Sequence, residues 1–401
     1  MWLFDLTSYD YILPEDRIAQ EPHHPADEAK LLVCGDDFSD AQYVDLSQLL
    51  DKNSVLFFND TKVMQSRVSV LNKKVTLSTG IETLIEQWEI FVYEIVDEYR
   101  FEALVADGKH YRPGSRIVWD ENVVLDSVAF TQEGILFQIS GMTVSDFMQA
   151  YGQLPLPPYI TYTKDKEQRY QTCFAKYMGS AAAPTASLHF TPRLLSGLSD
   201  AWHTLEYATL HVGLWTFKPV YQEDIRKHDI HQEVGMIDVA LFARIVQYRQ
   251  EWRPIIAVGT TMMRLLESLP YLWQALKHWN TALLQCFSDE TAMFWDELIV
   301  WITDTNYIID SGSSLEWQVF RLEWQYLYFQ TKIFIYPGFS FRIVDQLITN
   351  FHLPKSSLLM LVAACMGDKR KNAYDHVLSH EYMFYSFGDG MWIKKFTDQS
   401  V

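Results

Sequence analysis

The sequence predicts an α/β protein in which a small antiparallel β unit interrupts a larger α/β domain. Three observations support this. The chain has 401 residues, and at roughly 150 residues per domain that length suggests two or three domains. Residues 66–147 hold several short runs rich in β-branched and aromatic residues. From about residue 160 onward, strand-like apolar runs alternate with helical spacing, the pattern of a sheet under helical cover. Hydrophobic residues make up 48% and charged residues 21%, so the chain can build a large core and is not a disordered tract.

The elements follow in order. Pro14-Glu15-Asp16-Arg17 places a proline and two acids where a helix starts. Ser54-Val55-Leu56-Phe57-Phe58 is a buried strand stopped by Asn59-Asp60. Val68–Leu71, Trp88–Tyr93, Arg100–Val105, Arg116–Trp119 and Gly134–Ile139 predict the strands of a small barrel or sandwich. Leu154-Pro155-Leu156-Pro157-Pro158-Tyr159 forbids regular helix and marks a rigid extended segment. Leu205–Leu210 reads as a strand, 239–250 as a helix and Pro254–Gly259 as a buried strand. Thr260-Thr261 opens a helix through Glu267, and Ile333–Tyr336 is a further strand. Residues 269–330 carry six of the 13 tryptophans; such a patch is either a binding surface or, more commonly, the core of a local insertion, here of helices followed by strands.

Charge and composition narrow the function classes. With 33 basic and 51 acidic side chains the net charge is −18. A protein that coats nucleic acid non-specifically is usually basic, so any phosphate contact here requires basic residues gathered on one face. The four cysteines, Cys34, Cys173, Cys286 and Cys365, form no CxxC pair and fit a reducing cytosol. The N-terminus lacks the features of a signal peptide. The longest apolar run, Leu358 to Met366, is about half the roughly 20 residues needed to span a bilayer. The expectation is a cytoplasmic monomer that does not meet a membrane.

GxGxxG, GxxxxGK[ST] and GxSxG are all missing, so a Rossmann cofactor site, a P-loop and a hydrolase elbow have no support. What remains is a set of polar residues in distinctive apolar frames: Asn59-Asp60-Thr61-Lys62, Ala183-Pro184-Thr185-Ala186-Ser187-Leu188-His189-Phe190, Leu210-His211-Val212-Gly213-Leu214, His228-Asp229-Ile230-His231-Gln232-Glu233, Val258-Gly259-Thr260-Thr261-Met262-Met263-Arg264 and Thr349-Asn350-Phe351-His352-Leu353-Pro354-Lys355-Ser356. Singly, each has a plain structural reading. A histidine in an apolar run is most often a satisfied core residue, and Thr260-Thr261 is equally a helix N-cap or an anion site. His228, His231 and Glu233 have ligand-like spacing. They lack the i, i+4 geometry of a zinc helix and a second cluster, so no metal is expected.

Taken together and in order, these frames resemble the S-adenosylmethionine:tRNA ribosyltransferase-isomerase family of queuosine biosynthesis. Tyr11-Ile12-Leu13-Pro14-Glu15, Arg169-Tyr170-Gln171-Thr172, Ile333-Phe334-Ile335-Tyr336-Pro337-Gly338 and Tyr385-Ser386-Phe387-Gly388-Asp389 extend the likeness across nearly the whole chain. The resemblance implies a large barrel-like α/β domain from 1–65 and 148–401, with 269–330 as its tryptophan-rich insertion, and an inserted β-barrel at 66–147. It implies transfer and isomerisation of the ribosyl part of S-adenosylmethionine onto a 7-aminomethyl-7-deazaguanine at the tRNA anticodon wobble position, with adenine and methionine released.

That chemistry needs a base beside the sulfonium and an acid for adenine, and histidines titrate near pH 7. The candidates are His189, His211, His231 and His352, with Asp60 and Glu233 as orienting or basic carboxylates. Asn59, Thr185, Thr260, Thr261 and Asn350 are candidates for holding ribose hydroxyls or adenine edges. Lys62, Arg67, Arg169 and Lys355 are candidates for tRNA phosphate, and Lys355 is equally a candidate for the methionine carboxylate. The chain departs from the family pattern at Ala26–Lys30, Lys62, Ala106–Lys109, Gln153, Ser187, Trp215 and Lys332. Two of these departures cost arginines where a tRNA phosphate is expected. Two other readings fit the same frames: a paralogue that uses S-adenosylmethionine on another acceptor, and a non-catalytic module that binds tRNA or protein.

Overall fold

The computed structural model describes residues 2–105, 111–213, 220–279, 287–300, 321–323 and 325–397. The chain forms two compact units, one of 1–62, 157–178 and 183–401, the other of 63–156 and 179–182.

The smaller unit is a closed antiparallel barrel of six strands. Arg67–Thr76, Glu82–Ile95, Arg100–Val105, Ile135–Ser140, Val124–Phe130 and Arg116–Val118 pair in that order, and Arg116–Val118 pairs back onto Arg67–Thr76. Closure leaves no barrel edge to aggregate. Alternate residues point inward: Val68 and Val70 from one strand and Ile135, Phe137 and Ile139 from another. The composition shift predicts an end to this unit at residue 147. Helix Val144–Tyr151 instead gives Val144, Phe147 and Met148 to the barrel core, so the compact unit runs on to Leu156.

The larger unit is built on a ten-stranded mixed sheet. At its centre lie four parallel neighbours, Thr204–His211, Val55–Asn59, Ile255–Val258 and Gln346–Asn350. Antiparallel strands Glu233–Asp238, Tyr326–Thr331 and Arg321–Glu323 extend one side. Gly390–Ile393, Lys30–Cys34 and Phe38–Gln42 extend the other. The central strands read as unbroken apolar runs because both faces are covered. Successive side chains then serve opposite cores. Val55, Phe57, Ile255 and Ala257 enter the core shared with helices Ala240–Gln250, Thr260–Trp279 and Ser357–Met366, whereas Leu56, Phe58, Ile256 and Val258 pack against Leu46, Leu194 and Leu198 on the other face.

Three expectations need correction. Helix Thr260–Trp279 runs well past Glu267, through Pro270. The apolar stripe Leu265, Leu266, Leu269, Leu272, Trp273 and Leu276 stays buried, and that packing outweighs one lost backbone hydrogen bond. Ile333–Tyr336 is not a strand; the neighbouring Tyr326–Thr331 takes the ladder instead. The backbone of Ile333 bonds to side chains, its N–H donating to Thr331 Oγ1 (3.1 Å) and its carbonyl accepting from Arg264 Nε (3.1 Å). The start at Pro14 yields only a 3-10 turn, Glu15–Arg17.

In the 269–330 insertion, Trp273 and Trp295 lie fully inside the main core. Trp301, Trp317 and Trp324, like Trp215 and Ala106–Lys109, fall outside the described residues. Among the described residues, no helix is long and apolar enough to cross a membrane.

Candidate functional site

The four central parallel strands all end at the same edge of the sheet. Asn59 and His211 are the last residues of two of them, Gly259 follows the third and Asn350 closes the fourth. In open α/β sheets the crevice beyond the carboxyl ends of parallel strands is where ligands bind. Here that edge borders an open cleft lined by Thr185, Thr260, Thr261, Asn350, His352 and Tyr385.

Gly259 makes the turn from strand to helix. Its φ of +91° suits only glycine, and its N–H bonds to Ile348 O at 2.8 Å. The helix that follows begins with Thr260 and Thr261 and so presents its positive end and free N–H groups to the cleft.

Asn350 is clamped on all sides. Its Oδ1 accepts from Thr185 Oγ1 at 2.9 Å, and its Nδ2 faces the carbonyls of Gly388 and Asp389 and His189 Nε2, each at 3.4 Å. His189 Nδ1 donates to Ala26 O at 3.2 Å, so its Nε2 carries the lone pair that meets Asn350. The His189 ring stacks on Tyr43, centroids 4.3 Å apart. His352 follows Asn350 by two residues and is held by Thr349 Oγ1 at 2.9 Å from Nε2, with Tyr374 and Tyr11 binding its backbone. The cleft also takes Tyr159 and Tyr385, whose rings lie 4.6 Å apart. Neither tyrosine stood out in the sequence, although each lies in a frame; only the fold pairs them.

Burial sets the charge of this region. Desolvation lowers His189 and His211 to about 4 and His352 to about 3. All three are therefore neutral imidazoles at pH 7, and the expectation that they titrate near neutrality is corrected by their surroundings. Asp60 moves the other way. Burial raises its carboxyl, against a short bond from Thr209 Oγ1 (2.6 Å).

The candidates therefore sort by place. Thr185, Thr260, Thr261, Asn350 and His352 line the cleft. His231 and Glu233 line a second, smaller cavity, with His228 and Arg264. Glu233 and Arg264 form a buried ion pair there through Oε2 and Nη1. Asn59, Asp60, His189 and His211 line neither. Asn59 straps Leu210, donating to its carbonyl (2.8 Å) and accepting from its N–H (3.0 Å), while His211 Nδ1 meets Thr61 Oγ1 at 2.8 Å.

The basic candidates are mostly engaged within the chain. Lys355 pairs with Asp10 (2.6 Å), Arg67 with Glu89 (3.1 Å), and Arg169 Nη2 donates to His23 O (2.5 Å), while Lys62 is exposed. At the acidic stretch 26–30, Asp27 is buried and bound by Arg193 and Thr191. Among the described residues, the one His/Cys/Asp/Glu trio with ligand atoms within 4.8 Å of one another is Asp40, His376 and His380, and it lines neither cavity.

A family model described as queuosine biosynthesis protein matches residues 6–307 and 309–393. This chain belongs to that family. The queuosine biosynthesis relatives are similar from end to end. One is the S-adenosylmethionine:tRNA ribosyltransferase-isomerase of Pelotomaculum thermopropionicum, 35% identical over 397 residues, or 97% of this chain and 99% of that one. The enzyme of the same name from Halothermothrix orenii is 33% identical over 96% of this chain and 98% of its own. A crystal structure of an S-adenosylmethionine tRNA ribosyltransferase from Thermotoga maritima is 24% identical and covers 96% of this chain and 99% of that chain, with a TM-score of 0.46.

Proposed function

We propose that this chain is an S-adenosylmethionine-dependent tRNA ribosyltransferase-isomerase. It transfers and isomerises the ribosyl moiety onto the 7-aminomethyl-7-deazaguanine base of tRNA, giving epoxyqueuosine in the tRNA and releasing adenine and methionine. The observation that carries this reading is the end-to-end relationship to enzymes of that name, at 33–35% identity. The cleft at the carboxyl edge of the parallel strands supports it.

The donor set suits a nucleoside sulfonium. Thr185, Thr260, Thr261 and Asn350 offer hydroxyl and amide groups to ribose hydroxyls and an adenine edge, and Tyr159 and Tyr385 offer ring faces. S-adenosylmethionine supplies an acidified carbon beside its sulfonium and a ribosyl group from which adenine leaves. His352 is the imidazole among the described residues lining the cleft and the proposed base there; burial keeps it neutral at pH 7 and makes it a weak base. His231 adds a second imidazole from the adjoining cavity, where Glu233 is paired with Arg264. Asn59, Asp60, His189 and His211 are positioning residues; His189 orients Asn350, and Asn59 fixes the strand that ends in His211. Lys62, Arg67, Arg169 and Lys355 are proposed to meet tRNA phosphates. The protein acts without a metal, as a cytoplasmic monomer.

The test is incubation with S-adenosylmethionine and tRNA bearing the aminomethyl base, after exhaustive chelation, with mass measurement of all products. Adenine and methionine are expected in equal amounts, with no S-adenosylhomocysteine. Stoichiometric S-adenosylhomocysteine would make the protein a methyltransferase and end this reading. Turnover lost on chelation would overturn the metal-free mechanism. Turnover of S-adenosylmethionine with another acceptor, and none with tRNA, would replace the present reading with a paralogue of altered substrate.

A further inference from the structure

The second cavity holds a buried charge that its surroundings do not fully use. Arg264 is only 5% exposed and Glu233 4%. The guanidinium spends Nη1 on Glu233 and Nε on the Ile333 carbonyl at 3.1 Å. Its Nη2 is buried and has no hydrogen-bond partner among the described residues. Buried, charged N–H groups left without an acceptor are costly, and this one belongs to a residue that lines the second cavity.

The cavity and the cleft are neighbours. Leu358 lines both. Thr260 and Thr261 face the cleft and Arg264 the cavity, from one helix. The spacing of three to four residues is one helical turn, about 5.4 Å. A ligand whose nucleoside sits in the cleft would need only a short arm to reach Arg264.

Resting on the ribosyltransferase reading, we infer that this cavity seats the α-amino acid end of S-adenosylmethionine, with Arg264 taking its carboxylate through Nη2 and Glu233 its ammonium. The chemistry selects a zwitterion. A phosphate would bring its charge against the Glu233 carboxylate, whereas an amino acid brings a matching ammonium to it. Phe334, Ile335 and Leu361 on the cavity wall suit the methylene arm between the zwitterion and the sulfonium. The Arg264–Glu233 pair is then a specificity element for an intact amino acid, and the same seat holds methionine as a leaving product.

The test compares three ligands by titration calorimetry: S-adenosylmethionine, its decarboxylated analogue and 5′-methylthioadenosine, which lacks the amino acid. The wild-type protein should bind S-adenosylmethionine about 10- to 100-fold more tightly than the decarboxylated analogue, the range for a lost charge-assisted hydrogen bond. Arg264→Lys should remove most of that preference and leave affinity for 5′-methylthioadenosine unchanged. Equal affinity of the wild type for S-adenosylmethionine and the decarboxylated form overturns the inference without any variant. So does an Arg264→Lys protein that keeps the full preference. Failure of the wild type to bind any of the three overturns the ribosyltransferase reading itself, and this inference with it.

Discussion

Replacing Asn59 by alanine distinguishes a ligand-holding residue from a structural strap. The sequence suggests the first role and the structure the second. The Asn59 side chain is fully buried at the end of its strand. Its Nδ2 donates to Leu210 O (2.8 Å) and Thr261 Oγ1 (3.3 Å), and its Oδ1 accepts from the N–H of Leu210 (3.0 Å) and of Thr61 (3.2 Å). Asn59→Ala strands three backbone groups: the N–H and carbonyl of Leu210 and the N–H of Thr61. Each such orphan costs about 1–3 kcal/mol. The losses overlap because two fall on one residue, so about 3–5 kcal/mol is expected, a large share of the roughly 5–15 kcal/mol that holds a typical domain. Urea unfolding monitored by tryptophan fluorescence reads this as a fall in midpoint at constant slope. Affinity for S-adenosylmethionine, measured at low temperature where the variant stays folded, should change little. A variant that loses less than about 1 kcal/mol while its S-adenosylmethionine affinity collapses would refute the strap and restore Asn59 as a binding residue.

The buried histidines give a signed pH dependence. His189, His211 and His352 have folded values of about 4, 4 and 3, below the ordinary 6.5. The unfolded chain therefore takes up these protons first, and stability present above 6.5 should fall as pH drops toward 4. Chemical denaturation at about pH 7.5 and about pH 5 should show the loss, and His352→Gln should shrink it by up to one proton's worth; a flat profile would mean the rings are not buried as neutral groups. For RNA, three of the four basic candidates are held within the chain, so log affinity for tRNA should fall only shallowly with log salt, at about 0.7–0.9 per phosphate contact. Lys355→Ala should remove about one such contact, since its exposed pair with Asp10 is cheap to exchange for a phosphate. An unchanged slope would exclude Lys355 from the RNA surface.

Much of the fold is legible because burial on both faces leaves an unmistakable signature in the central strands. Val55–Phe58 and Ile255–Val258 are unbroken apolar runs, and each found its place in the parallel block. The strand Val124–Phe130 carries no clear strand pattern because Asp126 and Ser127 break its apolar run. In the barrel Ser127 is buried and donates to Tyr111 O at 2.6 Å, and Asp126 pairs with Arg116 on the next strand. Polar residues satisfied across a ladder look like loop residues until the ladder is known. Ile333–Tyr336 fails in the opposite sense. Its residues have strand propensity, but the side chains of Arg264 and Thr331 claim the backbone of Ile333, and no one-dimensional pattern records a competitor from 69 positions away.

The site was legible as a set of strings but not as a place. Chain order runs 59, 211, 259, 350, whereas across the sheet the order is His211, Asn59, Gly259, Asn350. Neighbours in space are set by crossover connections, which spacing along the sequence does not encode. Residue type also suggested histidines poised near neutrality, yet a titration range belongs to an environment, and burial moved three of them out of it. The same blindness hid Arg264. In the string Val258–Arg264 the threonines drew attention because they follow a strand and open a helix, while an arginine one turn into a helix reads as a solvated charge. Only the fold shows that this turn faces inward, where Glu233 holds one edge of the guanidinium and leaves Nη2 bare. A helical arginine buried against a carboxylate from the adjacent sheet is costly for stability alone. Its position beside a cavity that shares a wall with the cleft accounts for that cost as the preorganisation of a binding site.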